Sequence, residues 1–283
     1  MNAYDEIMPI LPDCYAAQLR EDDFYWVEEI RIGTQRPVRL RKGNREKELW
    51  PPANQAMVEE ILNRACSRSA YAYRDSIAQG YITIVGGHRI GICGTGVMHA
   101  DSVQTIRMPS SVNIRIAREV IGFADPVIRN LQDSALIIGP PGSGKTTLLR
   151  DLIRQISDRL CQTVSVADER GELSAMREGM VMLCLGKRTD VLTGIPKAEA
   201  MIMLLRSMSP EWIAVDEITS PSDLEAISMI SYCGVKLLAT AHGSDLSELR
   251  RRPLYNRLLQ LQYFRHAIIL QQDKTCRMEE MIS

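Results

Sequence analysis

The chain has 283 residues, 45% of them apolar and 24% charged, with a formal net charge of −1. That length allows a full core or two domains, and the composition is that of an ordinary globular protein. The charge excludes a global pull toward nucleic acid or an anionic membrane, and no apolar run approaches the ~20 residues of a membrane span. The opening MNAYDEIMPILPD is acidic and lacks a long apolar stretch, which speaks against a secretory signal. Seven cysteines are scattered without a Cys-x-x-Cys pair, several in apolar runs. They read as small buried thiols of a reduced, cytoplasmic chain.

Residues 1–20 read as a helical lead-in broken by Pro9 and Pro12. Alternation of apolar and polar residues predicts strands over 28–33 and 37–43, in a region made basic by Arg31, Arg36, Arg39, Arg41 and Lys42. Such a charge run is by default a solvated face. Residues 54–68 place Met57, Ile61, Leu62 and Ala65 on one helical face. A second helix is expected from residue 69, then strands over 81–85 and 89–93 joined by Gly-Gly-His, a hairpin signal, and one more over 112–117. Residues 1–120 are thus expected to form a small α+β domain, with a linker and short helix over 120–133.

The second half, residues 121–283, alternates strand and helix, the signature of a mostly parallel sheet covered on both faces. An apolar strand over 135–138 runs into G-x-x-x-x-G-K-[ST], spelled Gly139, Pro140, Pro141, Gly142, Ser143, Gly144, Lys145, Thr146, with Thr147 continuing into a helix. Glycines let the backbone approach a phosphate, Lys145 adds a compact charge beside the outer phosphates, and the Thr146 hydroxyl suits Mg²⁺. The helix start turns its positive dipole end and free N–H groups on the same anion. Later strands are expected over 163–168, 212–217, 236–242 and 266–272. Helices are expected over 197–208, from a Ser220 cap with Pro221 to Gly234, and over 246–260, where Pro253 kinks or splits the last one. Met201, Met203, Met208 and Met229 read as core filling.

In such sheets ligands bind beyond the carboxyl ends of the strands. Four predicted strands end there in candidate groups: the phosphate loop, Asp168 with Glu169, Asp216 with Glu217, and His242. Asp216 would hold Mg²⁺ and Glu217 would lie near an attacking water. In DERGE, Glu172 is a candidate general base and Arg170 would orient it or touch a phosphate. His242 would sense the outer phosphate by hydrogen bonding.

The phosphate loop, DERGE, SPEWIAVDEI and TAH are arranged as in the secretion and pilus-retraction ATPases of the type II/type IV superfamily, which this chain resembles. That resemblance implies a RecA-like P-loop ATPase domain behind a smaller N-terminal α+β domain. It places the superfamily's acidic-box base on Glu172, its Walker B glutamate on Glu217 and its histidine-box residue on His242. The superfamily usually carries Gly before the Walker B glutamate, where this chain has Asp216. Asp-Glu is the pattern of other P-loop ATPases in which that glutamate is the base, so either Glu172 or Glu217 fills the role.

EEIRIGTQRPVRL, GGHRIGICGTGV, SVNIRIARE, VADERGEL, LGKRTDVLTGIPKAEAM, RSMSP and ATAHG extend the likeness over nearly the whole chain. In them the chain resembles the stage III sporulation protein AA family of endospore-forming bacteria. This resemblance implies a cytoplasmic, mother-cell ATPase that hydrolyses ATP with Mg²⁺. It would form a hexameric ring with nucleotide between subunits and reach the membrane only through the membrane proteins of the sporulation channel between mother cell and forespore. In a ring, an arginine from a neighbour can stabilise transition-state charge. Arg107, Arg115 and Arg118 are the candidates by analogy, with Arg206 a further one. Two alternatives share the core. One is a motor stimulated by nucleic acid, which the near-zero charge and the expectation of no appended single-strand-binding domain beyond IILQQDKTCRMEEMIS argue against. The other is an assembly subunit that binds nucleotide and hydrolyses it slowly.

Overall fold

Two patterns of side-chain burial build two units. The computed structural model describes residues 2–66, 74–99 and 102–281. The chain divides into a unit of Met1–Arg118 with Arg177–Met182 and a unit of Glu119–Met176 with Leu183–Ser283.

In the first unit, α1 (Ala3–Ile7), α2 (Asp13–Ala16) and α3 (Glu21–Trp26) precede β1 (Glu29–Gly33), β2 (Val38–Lys42) and β3 (Arg45–Leu49). Helices α4 (Gln55–Ala65) and α5 (Arg74–Ala78) lead to β4 (Tyr81–Thr83), β5 (Arg89–His99) and β6 (Ser102–Arg115). The six strands form one sheet in the order β3-β2-β1-β6-β5-β4, with every neighbour antiparallel. Alternation sends Ile30, Ile32, Val38, Leu40, Ile90 and Ile114 to a single buried face, where Val58 and Ile61 of α4 join the same core. The opposite face carries Arg31, Arg39 and Arg115, as expected for an antiparallel sheet with one solvated side.

Two features here differ from the sequence reading. Strand β3 was not anticipated, because REKEL offers one apolar residue and only pairing with β2 defines it. Strands β5 and β6 run on past the expected 89–93 and 112–117, pairing Thr95 with Arg107 out to His99 with Ser102. This extension is largely exposed on both faces, so it has no apolar alternation to read. The helix expected from residue 69 begins outside the described residues, and its described part is α5.

The second unit runs α6 (Asp125–Ile128), β7 (Ala135–Gly139), α7 (Lys145–Asp158), β8 (Val164–Asp168), β9 (Thr189–Thr193), α8 (Lys197–Ser207) and β10 (Trp212–Val215). It continues with α9 (Pro221–Ser231), β11 (Lys236–His242), α10 (Leu246–Arg251), α11 (Pro253–Gln260), β12 (His266–Leu270) and β13 (Cys276–Glu280). Seven strands form a sheet in the order β13-β12-β7-β11-β10-β8-β9, all parallel except β13. The two sides of β7 feed two cores. Ala135 and Ile137 pack with Leu148, Leu152 and Ile156 of α7. Leu136 and Ile138 belong to the cluster holding Met201 of α8, Ile227 of α9 and Leu258 of α11. Because both faces are covered, β7, β8, β10 and β12 are buried along their whole length.

Ser220 caps α9 by accepting from the Asp223 N–H, and Pro221 opens the helix. Arg252 is extended between α10 and α11, so Pro253 splits the helix predicted over 246–260. Edge strands β9 and β13 do not alternate apolar and polar residues along their length, which hid them from the pattern.

Two expectations are corrected. Of the cysteines only Cys66 is buried, while Cys93, Cys161, Cys184 and Cys233 are exposed. Cys161 and Cys233 follow helix ends, and Cys93 falls on the polar face of β5, so a nearby apolar run did not imply burial. Met201 is core, but Met203, Met208 and Met229 are each more than 40% exposed, since they fall off the inward stripes of α8 and α9.

Candidate functional site

The parallel strands β7, β11, β10 and β8 bring their carboxyl ends to one edge of the second sheet, and the candidate groups gather there. The phosphate loop turns from β7 into α7. Gly142 and Gly144 have φ of +73° and +102°, a region that side chains rarely adopt, and Gly144 is the N-cap of the 14-residue α7. A Cβ on Gly139 would lie 2.6 Å from Ser143 Oγ and 2.8 Å from the Leu270 carbonyl oxygen, so the loop closes only around glycine. Ser143 is fully buried and its Oγ has no hydrogen-bond partner. An orphaned hydroxyl inside such a loop is what a phosphate oxygen would satisfy. Lys145 Nζ donates to the carbonyls of Gly139 at 2.8 Å and Pro140 at 3.0 Å. Burial pushes its ammonium below the ordinary lysine value, and the Glu217 and then the Asp216 carboxylates pull it back.

The acids come from β10. Asp216 follows its last residue, with one carboxylate oxygen accepting from Thr146 Oγ1 at 2.8 Å and the other from Thr240 Oγ1 at 2.6 Å. Thr240 also accepts the Glu217 N–H at 2.8 Å. Strand β11 lies between β7 and β10, so one hydroxyl on the middle strand ties the acidic turn to the edge where the loop begins. Glu217 has φ +43°, a left-handed conformation unusual for a residue with a side chain. Lys197, the first residue of α8, directs its ammonium to the carbonyls of Glu217 at 2.5 Å and Asp216 at 3.5 Å.

Sequence reasoning missed Thr240 and Lys197. The signals were present: a lone hydroxyl in the apolar strand KLLATAH, and a lysine at the helix end that repels cations. Thr240→Val keeps the volume but leaves a carboxylate oxygen and an N–H unpaired at a fully buried position. It is expected to lower stability by about 1–3 kcal/mol, read by denaturant unfolding, and to loosen the acidic turn.

Asp168 corrects the reading of strand ends as ligand groups. Its buried carboxylate turns inward and accepts from the N–H groups of Glu172, Leu173 and Ser174 and from Ser174 Oγ. It therefore folds the DERGE loop. Arg150, one turn along α7 from Thr146, donates to the Glu172 and Leu173 carbonyls at 2.8 and 3.0 Å. Burial lowers its guanidinium from the ordinary arginine value, against the pull of Glu119 and Asp168. Glu172 itself is exposed and lines one cleft with Glu169, Arg170, Lys197, Asp216 and Glu217.

His242 is half-buried and pairs in register with Gly139, and its carbonyl accepts from Arg252. The edge thus joins Lys145, Thr146, Asp216, Glu217 and His242, with Glu172 on the neighbouring loop. Arg107 and Arg115 are exposed on β6 of the first unit. Arg118, also of that unit, donates to the carbonyls of Phe24, Tyr25 and Val27 and so caps the end of α3. Arg206 lies in the last turn of α8, opposite the end that meets the cleft.

Chemically, this edge offers a glycine cradle at a helix N-terminus, an ammonium, and a hydroxyl bonded to a carboxylate. Thr146 Oγ1 and the Asp216 carboxylate are adjacent hard oxygen donors, which fit a Mg²⁺ ion beside phosphates.

A family model described as sporulation stage III, protein AA, matches residues 4–280. Stage III sporulation protein AA of Bacillus subtilis (strain 168) is 36% identical over 282 residues, covering 97% of this chain and 92% of its own length. Among solved structures, the Legionella pneumophila ATPase DotB is 17% identical with a TM-score of 0.56, covering 89% of this chain and 75% of its own. The pilus retraction motor PilT with bound ADP is 17% identical with a TM-score of 0.57, covering 86% and 73%. These structural likenesses concern the fold, that of secretion ATPases with a RecA-like P-loop domain.

Proposed function

The chain belongs to the sporulation stage III protein AA family, and from that premise we propose that it is a Mg²⁺-dependent ATPase of the secretion-motor type. The observation that carries the proposal is the chain of bonds Thr146–Asp216–Thr240–Glu217 beside the Lys145 ammonium. Phosphoryl transfer needs positioning and charge stabilisation more than covalent chemistry. Gly139–Thr147 would seat the triphosphate, and Lys145 would leave its two carbonyls to meet the outer phosphates. Thr146 and Asp216 would hold Mg²⁺, which when bound neutralises phosphate charge. Glu217 would orient and deprotonate the attacking water from the turn that Thr240 and Lys197 hold beside Asp216. His242 would contact the outer phosphate from the neighbouring strand end.

Nucleotide would lie between subunits of a hexameric ring, with Arg107 or Arg115 of a neighbour the candidate trans arginine and Arg118 a weaker one. The ring would energise or assemble the channel between mother cell and forespore from the mother-cell cytoplasm, bound to the membrane through that channel's proteins. Among the described residues no helix is long and apolar enough to cross a membrane.

The test is phosphate release by purified protein with ATP or GTP, with and without Mg²⁺, alongside its mass by light scattering. Mg²⁺-dependent ATP turnover and a nucleotide-dependent rise toward six subunits are expected. Absence of ATP turnover would overturn the proposal.

A further inference from the structure

Lys197 is in the wrong place for a helix residue. It opens α8, where the N-terminal dipole disfavours cations, and its side chain is only 12% exposed. A buried ammonium needs oxygen partners, and this one has four. They are the Glu217 carbonyl at 2.5 Å, Thr219 Oγ1 at 3.3 Å, the Asp216 carbonyl at 3.5 Å and a Glu169 carboxylate oxygen at 3.8 Å. Three of the four belong to the single turn that follows β10. The fourth comes from the end of β8, and Glu169 also accepts the Lys197 N–H at 3.4 Å. No packing demand of α8 explains this arrangement, since the inward stripe of the helix is Ala200, Met201 and Leu204.

The turn it grips is the strained one. Glu217 at φ +43° holds a left-handed conformation that a residue with a Cβ rarely adopts. Its N–H is fixed by Thr240 Oγ1, and the next N–H, of Ile218, by the Thr240 carbonyl at 3.0 Å. Its own carbonyl is fixed by Lys197. Strand β11 therefore holds the turn from one side and Lys197 from the other. Without the ammonium the peptide after Glu217 keeps only its N–H anchor on β11, and the Glu217 carboxylate is held less firmly at the edge where Lys145 and Asp216 lie. With Arg170, Lys197 is also a cation among Glu169, Glu172, Asp216 and Glu217 in their shared cleft, where it offsets their mutual repulsion.

We infer that Lys197 is a positioning residue for ATP hydrolysis: its ammonium locks the Asp216–Glu217 turn in the strained conformation that aims Glu217 at the outer phosphate. The inference rests on the ATPase reading above. Lys197 touches no part of the phosphate loop, so it acts on the rate of the chemical step and leaves nucleotide binding intact.

The experiment compares the full-length wild type with Lys197→Met, Lys197→Arg and Lys197→Ala. It measures kcat with saturating Mg²⁺ and ATP, and Kd for a fluorescent ATP analogue. For Lys197→Met, kcat is expected to fall at least ~10-fold with Kd within about 3-fold of the wild type, and Lys197→Arg should lie between the two. Added propylammonium should restore Lys197→Ala in a saturable manner and leave the wild type unchanged, a response that loss of fold would not produce. Wild-type turnover in Lys197→Met would overturn this inference alone. So would a parallel loss of Kd and kcat with no amine rescue. An inactive wild type would overturn the ATPase reading, and this inference with it.

Discussion

A Lys145→Ala protein is expected to fold as the wild type does and to lose ATP turnover by about 10²–10³-fold, the usual loss when one preorganised charge donor is removed from a transferring group. The two effects separate for a physical reason. In the folded chain the ammonium is disfavoured by burial, and it donates to the Gly139 and Pro140 carbonyls. Removing it relieves a desolvated charge, and the buried Gly139 carbonyl still accepts from the Gly243 N–H at 3.3 Å, so little stability is lost. What disappears is the cation that would meet phosphate charge as the bond to the leaving group breaks. Phosphate release at saturating nucleotide, beside a circular dichroism melt, tests both halves. Turnover at the wild-type rate would remove the basis of the ATPase reading.

The second large effect separates the two candidate bases. Glu217→Gln is expected to reduce kcat by about 10²–10⁴-fold, the range for loss of a general base, and Glu172→Gln by no more than about 10-fold. Both side chains line the same cleft, but their supports differ. Glu217 is half-buried on a turn held at its N–H by Thr240 and at its carbonyl by Lys197, next to the carboxylate that accepts from Thr146. Glu172 is exposed, and its loop is ordered through the main chain, by the Asp168 carboxylate and by Arg150. A half-buried carboxylate on a turn pinned at both main-chain groups suits the geometry a base needs. Single-turnover measurements on both variants decide the matter, and the reverse ranking would move the role to Glu172. Arg150 would then become the residue that holds the base in place.

Much of the second unit was legible without coordinates because its strands are buried on both faces. ALIIG, WIAV and HAIIL are uninterrupted apolar runs bounded by helix starts and polar ends, and local composition marks them. The phosphate loop was equally plain, since positive φ at Gly142 and Gly144 and the close approach at Gly139 demand glycine at those spacings. The edge strands β3, β9 and β13 were not legible. None of them alternates apolar and polar residues along its length, and pairing with a neighbour makes them strands.

By itself, then, the order of residues determined which groups stand at strand ends and that a parallel sheet would collect them. It could not determine which way a carboxylate turns. Asp168 and Asp216 both end apolar strands, yet one folds its own loop and the other meets Thr146. That choice was made by strand order, which sets β11 between β7 and β10 and so puts the Thr240 hydroxyl within reach of Asp216. The placement of Lys197 against the same turn is likewise tertiary. Its partners lie 19 to 28 positions away along the chain, and only the packing of α8 beside β8 and β10 brings them to one ammonium.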